Sequence, residues 1–176
     1  MKSRLLDQFL VSLLITAVLF IVIYIIIDEK SNPKYLVLNK TLDMNMVWEY
    51  YSTHIRGNLF AGLLAVGGFL MTGKTFILVT MKQSVFDDEK YILTFNKHVK
   101  FDNTLKRYAP LIQLKDILYV SVYMTIIASI IQLTIGLIPY WVASIIAVFF
   151  AIWSLVLVID SLNLIKKNLD YWLNDN

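Results

Sequence analysis

Three groupings of residues in this chain have types and spacings that suit chemistry. The first is Gly68-Phe69-Leu70-Met71-Thr72-Gly73-Lys74-Thr75, which satisfies G-x-x-x-x-G-K-[ST], the spacing of a phosphate-binding loop. Residues 155–159 followed by Asp160 even resemble the apolar strand and acid of its metal-binding partner motif. That chemistry needs a tight loop whose backbone N–H groups cradle phosphates at a helix start. Phe69, Leu70 and Met71 are bulky and continue an apolar helix, and no alternating β/α pattern supplies a sheet. Nucleotide binding is therefore not expected. The second grouping is a pair of charges, Lys74 and Asp160, each inside an apolar run. A lone charge in hydrocarbon costs a few kcal/mol, so such groups pair, face water or reach for the headgroups. Lys74 lies about 12 Å and Asp160 about 9 Å from the same membrane boundary at 1.5 Å per residue. An ion pair between them, within or between chains, is one expectation; the other has Lys74 snorkelling and Asp160 ending its span. The third is a polar face, Thr125, Ser129 and Gln132, which serves either helix packing or the wall of a pore.

No other catalytic set is present. The chain has no cysteine, which excludes thiolate zinc sites, iron–sulfur ligation and disulfides. It has no H-E-x-x-H, nucleophile elbow or paired carboxylate cluster. His54 has no partner at metal-ligand spacing, and the topology below puts His98 across the membrane from it. The expectation is a non-enzyme with no cofactor and no metal.

The elements that hold these residues follow from composition. Of 176 residues, 58% are hydrophobic and 16% charged, too apolar for a soluble domain of this size to cover its own core. Residues 8–27 are uncharged throughout, long enough for a bilayer core of about 30 Å. No small-x-small cleavage site follows them, so the segment reads as a retained span and not a signal peptide. Residues 57–81 form a second run broken only by Lys74. The uncharged stretch 117–159 fits two spans, 117–138 and 140–160, with the turn at Gly136 and Pro139. The fold class is thus all-α, a single four-span polytopic membrane domain over 1–176.

Basic residues orient it. The amino terminus, the 82–116 loop and the 161–176 tail carry eleven Lys and Arg, against four in the 28–56 loop. Both termini are accordingly expected in the cytoplasm. The Ile, Lys and Asn bias suggests a bacterial inner membrane. The +3 charge is then a topology signal, and direct nucleic-acid binding is not expected. Asn39-Lys40-Thr41 fits the glycosylation tripeptide, which carries little weight in a bacterial chain.

Span two carries small residues on one stripe, Gly57, Ala61, Ala65, Gly68 and Thr72, and small-residue faces let membrane helices approach closely. Spans two to four should form the inner bundle, with span one facing lipid. The 82–116 segment is the expected docking surface for a cytoplasmic protein, through Lys90, Lys97, Lys100, Lys106 and Arg107. In it Tyr91, Leu93, Phe95, Val99 and Phe101 alternate with polar residues, which suggests a short hairpin around Asn96-Lys97-His98, or irregular chain against the headgroups. Pro110 suits the first turn of a helix entering span three. In the tail, Leu162, Ile165, Leu169, Trp172 and Leu173 recur at helical spacing, as a continuation of span four or an interfacial helix.

In size, four-span layout, cytoplasmic termini and basic inner loop, the chain resembles the small membrane subunit of the bacterial Kiwa antiphage system. The resemblance covers the whole chain and is carried by residues 8–27, 57–81 and 117–159. It implies a homo-oligomer working with a separate cytosolic DNA-binding subunit, and it carries over no functional residue. Two readings follow: a membrane assembly or sensing subunit that docks a cytoplasmic partner, and a small pore-forming or permeabilising effector.

Overall fold

The computed structural model describes residues 2–31, 45–101 and 104–174. The described residues are helical, joined by short turns, with no strand among them. Helix α1 spans Lys2–Ser31, α2 Asn45–Tyr50, α3 Arg56–Met81, α4 Glu89–Val99, α5 Ala109–Leu133 and α6 Trp141–Asn174. A π-helical turn, Tyr51–Ile55, joins α2 to α3, and a second, Lys82–Phe86, extends α3. Four segments are long and apolar enough to cross a membrane: Arg4–Ile23, Met46–Phe86, Ala109–Leu137 and Trp141–Lys167. In hydrocarbon each backbone N–H and C=O must find its partner inside the chain, and a helix supplies that locally. The Asn39-Lys40-Thr41 tripeptide lies outside the described residues.

The helices outrun the apolar segments that announced them. Residues 45–56, assigned to a loop by hydropathy, are helical, and so is the segment 82–86. Helix α5 begins eight residues before Ile117, with Pro110 in its first turn. The extra turns carry charge without breaking, as Lys115 and Asp116 pair at 3.0 Å on the exposed start of α5. Hydropathy marks where lipid can surround a helix, whereas backbone hydrogen bonding sets where the helix stops. The turn after α5 falls where Gly136 and Pro139 put it. A 3-10 turn, Ile135–Leu137, leads to Ile138, extended at φ −70° and ψ 123° as a residue before proline must be. At 34 residues α6 is about 51 Å long, so the tail continues the fourth span as one helix beyond a 30 Å core.

One expected element is replaced. Residues 89–99 form helix α4 where alternation suggested a hairpin. Tyr91, Ile92, Phe95 and Val99 fall on one helical face and are half-buried, while Leu93 turns outward, 63% exposed. Asn96-Lys97-His98 lacks the glycine that tight hairpin turns strongly favour. Glu89 in the first turn and Lys97 and His98 in the last oppose the helix dipole favourably.

Packing is organised in two compact units, each drawing on α3, α5 and α6. The first comprises Met1–Ala65 and Met124–Val156. In it Leu63, Ala128 and Ala151 form a core with Leu59 and Phe150 against them. Helix α1 is buried along Gln8, Ser12 and Thr16, and Phe9 meets Phe149 and Trp153 edge-on, both at 5.3 Å. The Ser12 and Thr16 hydroxyls donate to carbonyls one turn back, at 2.7 Å each, so their burial leaves no donor stranded. Its remaining face, including Leu6, Leu10, Leu14 and Ile21, is exposed to what would be lipid. The second unit comprises Val66–Tyr123 and Leu157–Asn176. Its core is Met81, Val85, Phe86, Leu114 and Leu118, with Ile77, Tyr91, Tyr108 and Ile165 packed around it.

The tightest place in the first unit is the α5–α6 turn. A Cβ on Gly136 would strike the Tyr51 hydroxyl, which itself donates to Gln132 Oε1 at 2.6 Å. Gly136→Ala should therefore lower the melting temperature in detergent. Tyr51→Phe alone should cost about 1–3 kcal/mol by stranding the Gln132 amide oxygen. Because the two changes share one collision, the double variant should lose less than the sum of the singles. Additive losses would contradict the geometry.

Candidate functional site

The polar face of α5 is closed. Ser121, Thr125, Ser129 and Gln132 are at most 1% exposed. Gln132 accepts from Tyr51 and donates through Nε2 to the Ala147 carbonyl at 2.8 Å, joining the turn before α3 to α5 and α6. Ser129 Oγ donates to the Phe60 carbonyl at 3.2 Å, and Ser121 Oγ lies 3.0 Å from the Leu157 carbonyl. These side chains bind backbone of adjacent helices, as interhelical hydrogen bonds in membranes do, each worth about 0.6–2 kcal/mol. Ala147, Ala151, Ser154 and Ser161 supply the small, sealed surface of α6, at most 1% exposed. Within the single chain these side chains are engaged in packing.

The small-residue stripe of α3 behaves in the opposite way. Gly57, Ala61, Ala65, Gly68 and Thr72 are all exposed, which corrects the expectation that they pack inside the bundle. The face of α3 that is buried is Leu63, Gly67 and Leu70. A Cβ added at Gly57, Gly62, Gly68 or Gly73 would meet nothing within 4 Å. The buried face won because leucine fills the space between helices, and Gly57, Gly62 and Gly68 were left on an open surface with Phe69 and Phe76 exposed beside it.

Lys74 sits mid-helix in α3, with its Nζ 4.8 Å from the centre of the Tyr119 ring on α5. A ring face attracts a cation without carrying charge itself, so the ammonium has an aromatic partner that a search for opposite charges passes over. Tyr119 and Tyr123, four residues apart and stacked, were the signal. Asp160 is half-buried on α6. The residues 68–75 that mimic a phosphate loop are helical throughout, so their amides serve the helix and form no cradle. Thr72 Oγ1 bonds back to Phe69 O at 2.9 Å.

The basic segment is a built corner. Arg107 donates through Nε to the Phe86 carbonyl at 2.7 Å and through Nη2 to the same carbonyl and to Asp87 Oδ1 at 2.7 Å. Tyr108 donates to Asp87 Oδ1 at 2.7 Å, and its ring lies 5.0 Å from the guanidinium. Tyr91 donates to the Arg107 carbonyl at 3.3 Å and meets Phe86 edge-on at 5.1 Å. Thus Arg107, expected as a docking residue, caps the end of the α3 extension and fixes α4 beside it. Lys90, Lys97, Lys100 and Lys106 are exposed, as a docking surface requires. Among the described residues no three His, Asp or Glu side chains gather as a metal site would need. His54 is exposed, beside Tyr50 at 5.0 Å.

No protein family, characterised protein or solved structure matches this chain, so the functional reading rests on its own geometry.

Arg107→Lys keeps the charge but loses the fork that reaches both acceptors, and should cost about 1–2 kcal/mol after allowance for solvent screening. The Tyr108 phenol is pushed above its ordinary value, chiefly by its hydrogen bond to Asp87, with some desolvation. The folded chain then holds that proton more tightly than the unfolded one. The resulting stabilisation is complete at neutral pH and is lost as pH rises above about 10 and through the folded-state value. Melting curves between pH 8 and 11 should fall more steeply for the native chain than for Tyr108→Phe.

Proposed function

We propose that this protein is a non-enzymatic membrane assembly or sensing subunit. It self-associates in the bilayer and presents its basic 82–116 segment and the α6 tail to a cytoplasmic protein. The observation that carries this reading is where the polar and small groups are spent. Thr125, Ser129 and Gln132, the residues suited to lining a conducting path, are buried inside one chain. What remains open is the small-residue face of α3 and the lysines of the 82–116 segment. Lipid tails are as apolar as leucine, so a membrane helix gains by meeting another helix at glycines, where backbones approach. A second copy of the chain suits that face. The lysines suit an acidic protein surface.

The excess of Lys and Arg in the amino terminus, the 82–116 segment and the tail supports cytoplasmic termini and a bacterial inner membrane. In the setting that the Kiwa resemblance implies, the partner is the cytosolic DNA-binding subunit of an antiphage system. The membrane protein then anchors and arrays it without touching nucleic acid.

Purification in mild detergent from the native host, followed by native mass measurement, should give multiples of 20.4 kDa with a soluble protein attached. Ala65→Leu with Gly68→Leu should reduce the mass to the monomer while helicity is kept, since both positions are exposed. Replacing Lys90, Lys97 and Lys106 by Glu should release the soluble protein. A native chain that stays monomeric and alone would overturn the proposal. So would ion flux in liposomes that Gln132→Leu abolishes, which is the outcome expected of a pore.

A further inference from the structure

Helix α4 is bracketed by membrane spans. The span containing α3 ends at Phe86, and the next begins at Ala109. Two residues separate Phe86 from α4, and the corner formed by Arg107, Asp87 and Phe86 ties the returning chain to that same span end. Tyr91 is packed into the cluster of Met81, Val85, Phe86, Leu114 and Leu118, which fixes the start of α4 against the ends of both spans. A helix held there lies at the level where hydrocarbon gives way to headgroups, whichever side of the membrane this is.

Its two faces match that level. On one, Ile92, Phe95 and Val99 follow Tyr91 and are only half-buried, with no residue of α4 fully covered. On the other, Lys90, Thr94 and Lys97 are exposed, with Leu93 the single apolar exception. From Lys90 to Lys100 the chain has three lysines and no acid. Just past the helix Phe101 is 92% exposed, an aromatic ring with no protein cover beside a membrane boundary. Asp87 is engaged with Arg107, and Asp88 and Glu89 stand at the amino-terminal end of α4, where the helix dipole favours acids, ahead of the lysine-bearing stretch from Lys90 to Lys100.

We propose that α4 is an interfacial helix that binds the anionic phospholipid of the bilayer the chain spans. Ile92, Phe95, Val99 and Phe101 sink into the headgroup–acyl boundary, Tyr91 anchors the helix to the span ends, and Lys90, Lys97 and Lys100 are drawn to the negative surface. An amphipathic helix seated 5–10 Å deep carries its axis near the phosphates. Its polar face then stays within a Debye length of about 8 Å of their charge. The lipid takes the apolar face and leaves the lysine face in water. Lys90 and Lys97 are also among the lysines offered to a partner above, but the lipid contact needs neither an oligomer nor that partner.

The chain lacks cysteine, so single cysteines can be introduced and spin-labelled without background. Labels at Ile92→Cys, Thr94→Cys, Phe95→Cys, Lys97→Cys and Val99→Cys would be read in liposomes of phosphatidylcholine alone and of phosphatidylcholine with phosphatidylglycerol. Accessibility to oxygen, which partitions into lipid, would be compared with that to a water-soluble nickel chelate. The expected result is high oxygen and low nickel accessibility at 92, 95 and 99, and the reverse at 94 and 97. The apolar-face labels should sit deeper in the anionic liposomes. Replacing Lys90, Lys97 and Lys100 by Gln in the Val99→Cys chain should remove that added depth, and inorganic phosphate in the buffer should not reproduce it. Several results would overturn the proposal. One is protection of 92, 95 and 99 from both reagents, which means that protein covers the face; another is equal nickel accessibility around the helix. Helical periodicity with the same depth in both lipids would overturn the assignment to anionic headgroups. Val99 and Ile92 are read beside Phe95 so that a local packing loss at one position does not decide the outcome.

Discussion

Gln132 is the point on which the first packing unit depends. Water drives soluble helices together, but between helices already in hydrocarbon that force is absent, and only close packing and hydrogen bonding distinguish one neighbour from another. The Gln132 amide uses both of its ends, accepting from the Tyr51 hydroxyl and donating to the Ala147 carbonyl. Each bond is small, about 0.6–2 kcal/mol in a membrane. Their value is specificity, because a glutamine turned towards lipid would leave both ends unmet. Gly136 follows from the same arrangement, since only a residue without a side chain leaves the Tyr51 hydroxyl room to reach.

The rest of the polar content follows that logic. Hydroxyls on α1 turn back to their own helix, and those on α5 reach neighbouring carbonyls, so the spans meet lipid with mostly apolar side chains. Lys74 has its ammonium over the Tyr119 ring. Among the described residues the open surfaces include the small-residue face of α3 and the amphipathic, basic helix α4, held at the end of a span by Arg107.

Much of this was legible in the chain itself. The four spans, the turn at Gly136 and Pro139 and the helix start at Pro110 all follow from apolar run length and from the stereochemistry of proline and glycine. The span containing α3, by contrast, is as little buried as α1, against the expectation that it lies further inside. The α6 tail read equally well as a continuation or as a separate interfacial helix, and its unbroken course to Asn174 decides for the first. Helix α4 was misread because Tyr91, Leu93 and Phe95 alternate, while Tyr91, Ile92, Phe95 and Val99 fit a helical face at least as well. Short apolar patterns support both periods, and only the lack of a glycine beside Asn96 spoke against the hairpin.

Sequence alone determined that this chain is a four-span helical membrane protein, because bilayer thickness and the need to satisfy every backbone amide leave few other solutions. Which face of each helix is used, and by what, came only from the tertiary structure. The polar stripe of α5 and the glycine stripe of α3 look alike as packing surfaces when written out, yet one is sealed and the other open. The reason is that packing is a contest between faces, settled by which side chains fill the space opposite. Leu63 and Leu70 fill it on α3, and Gln132 finds its two partners on α5.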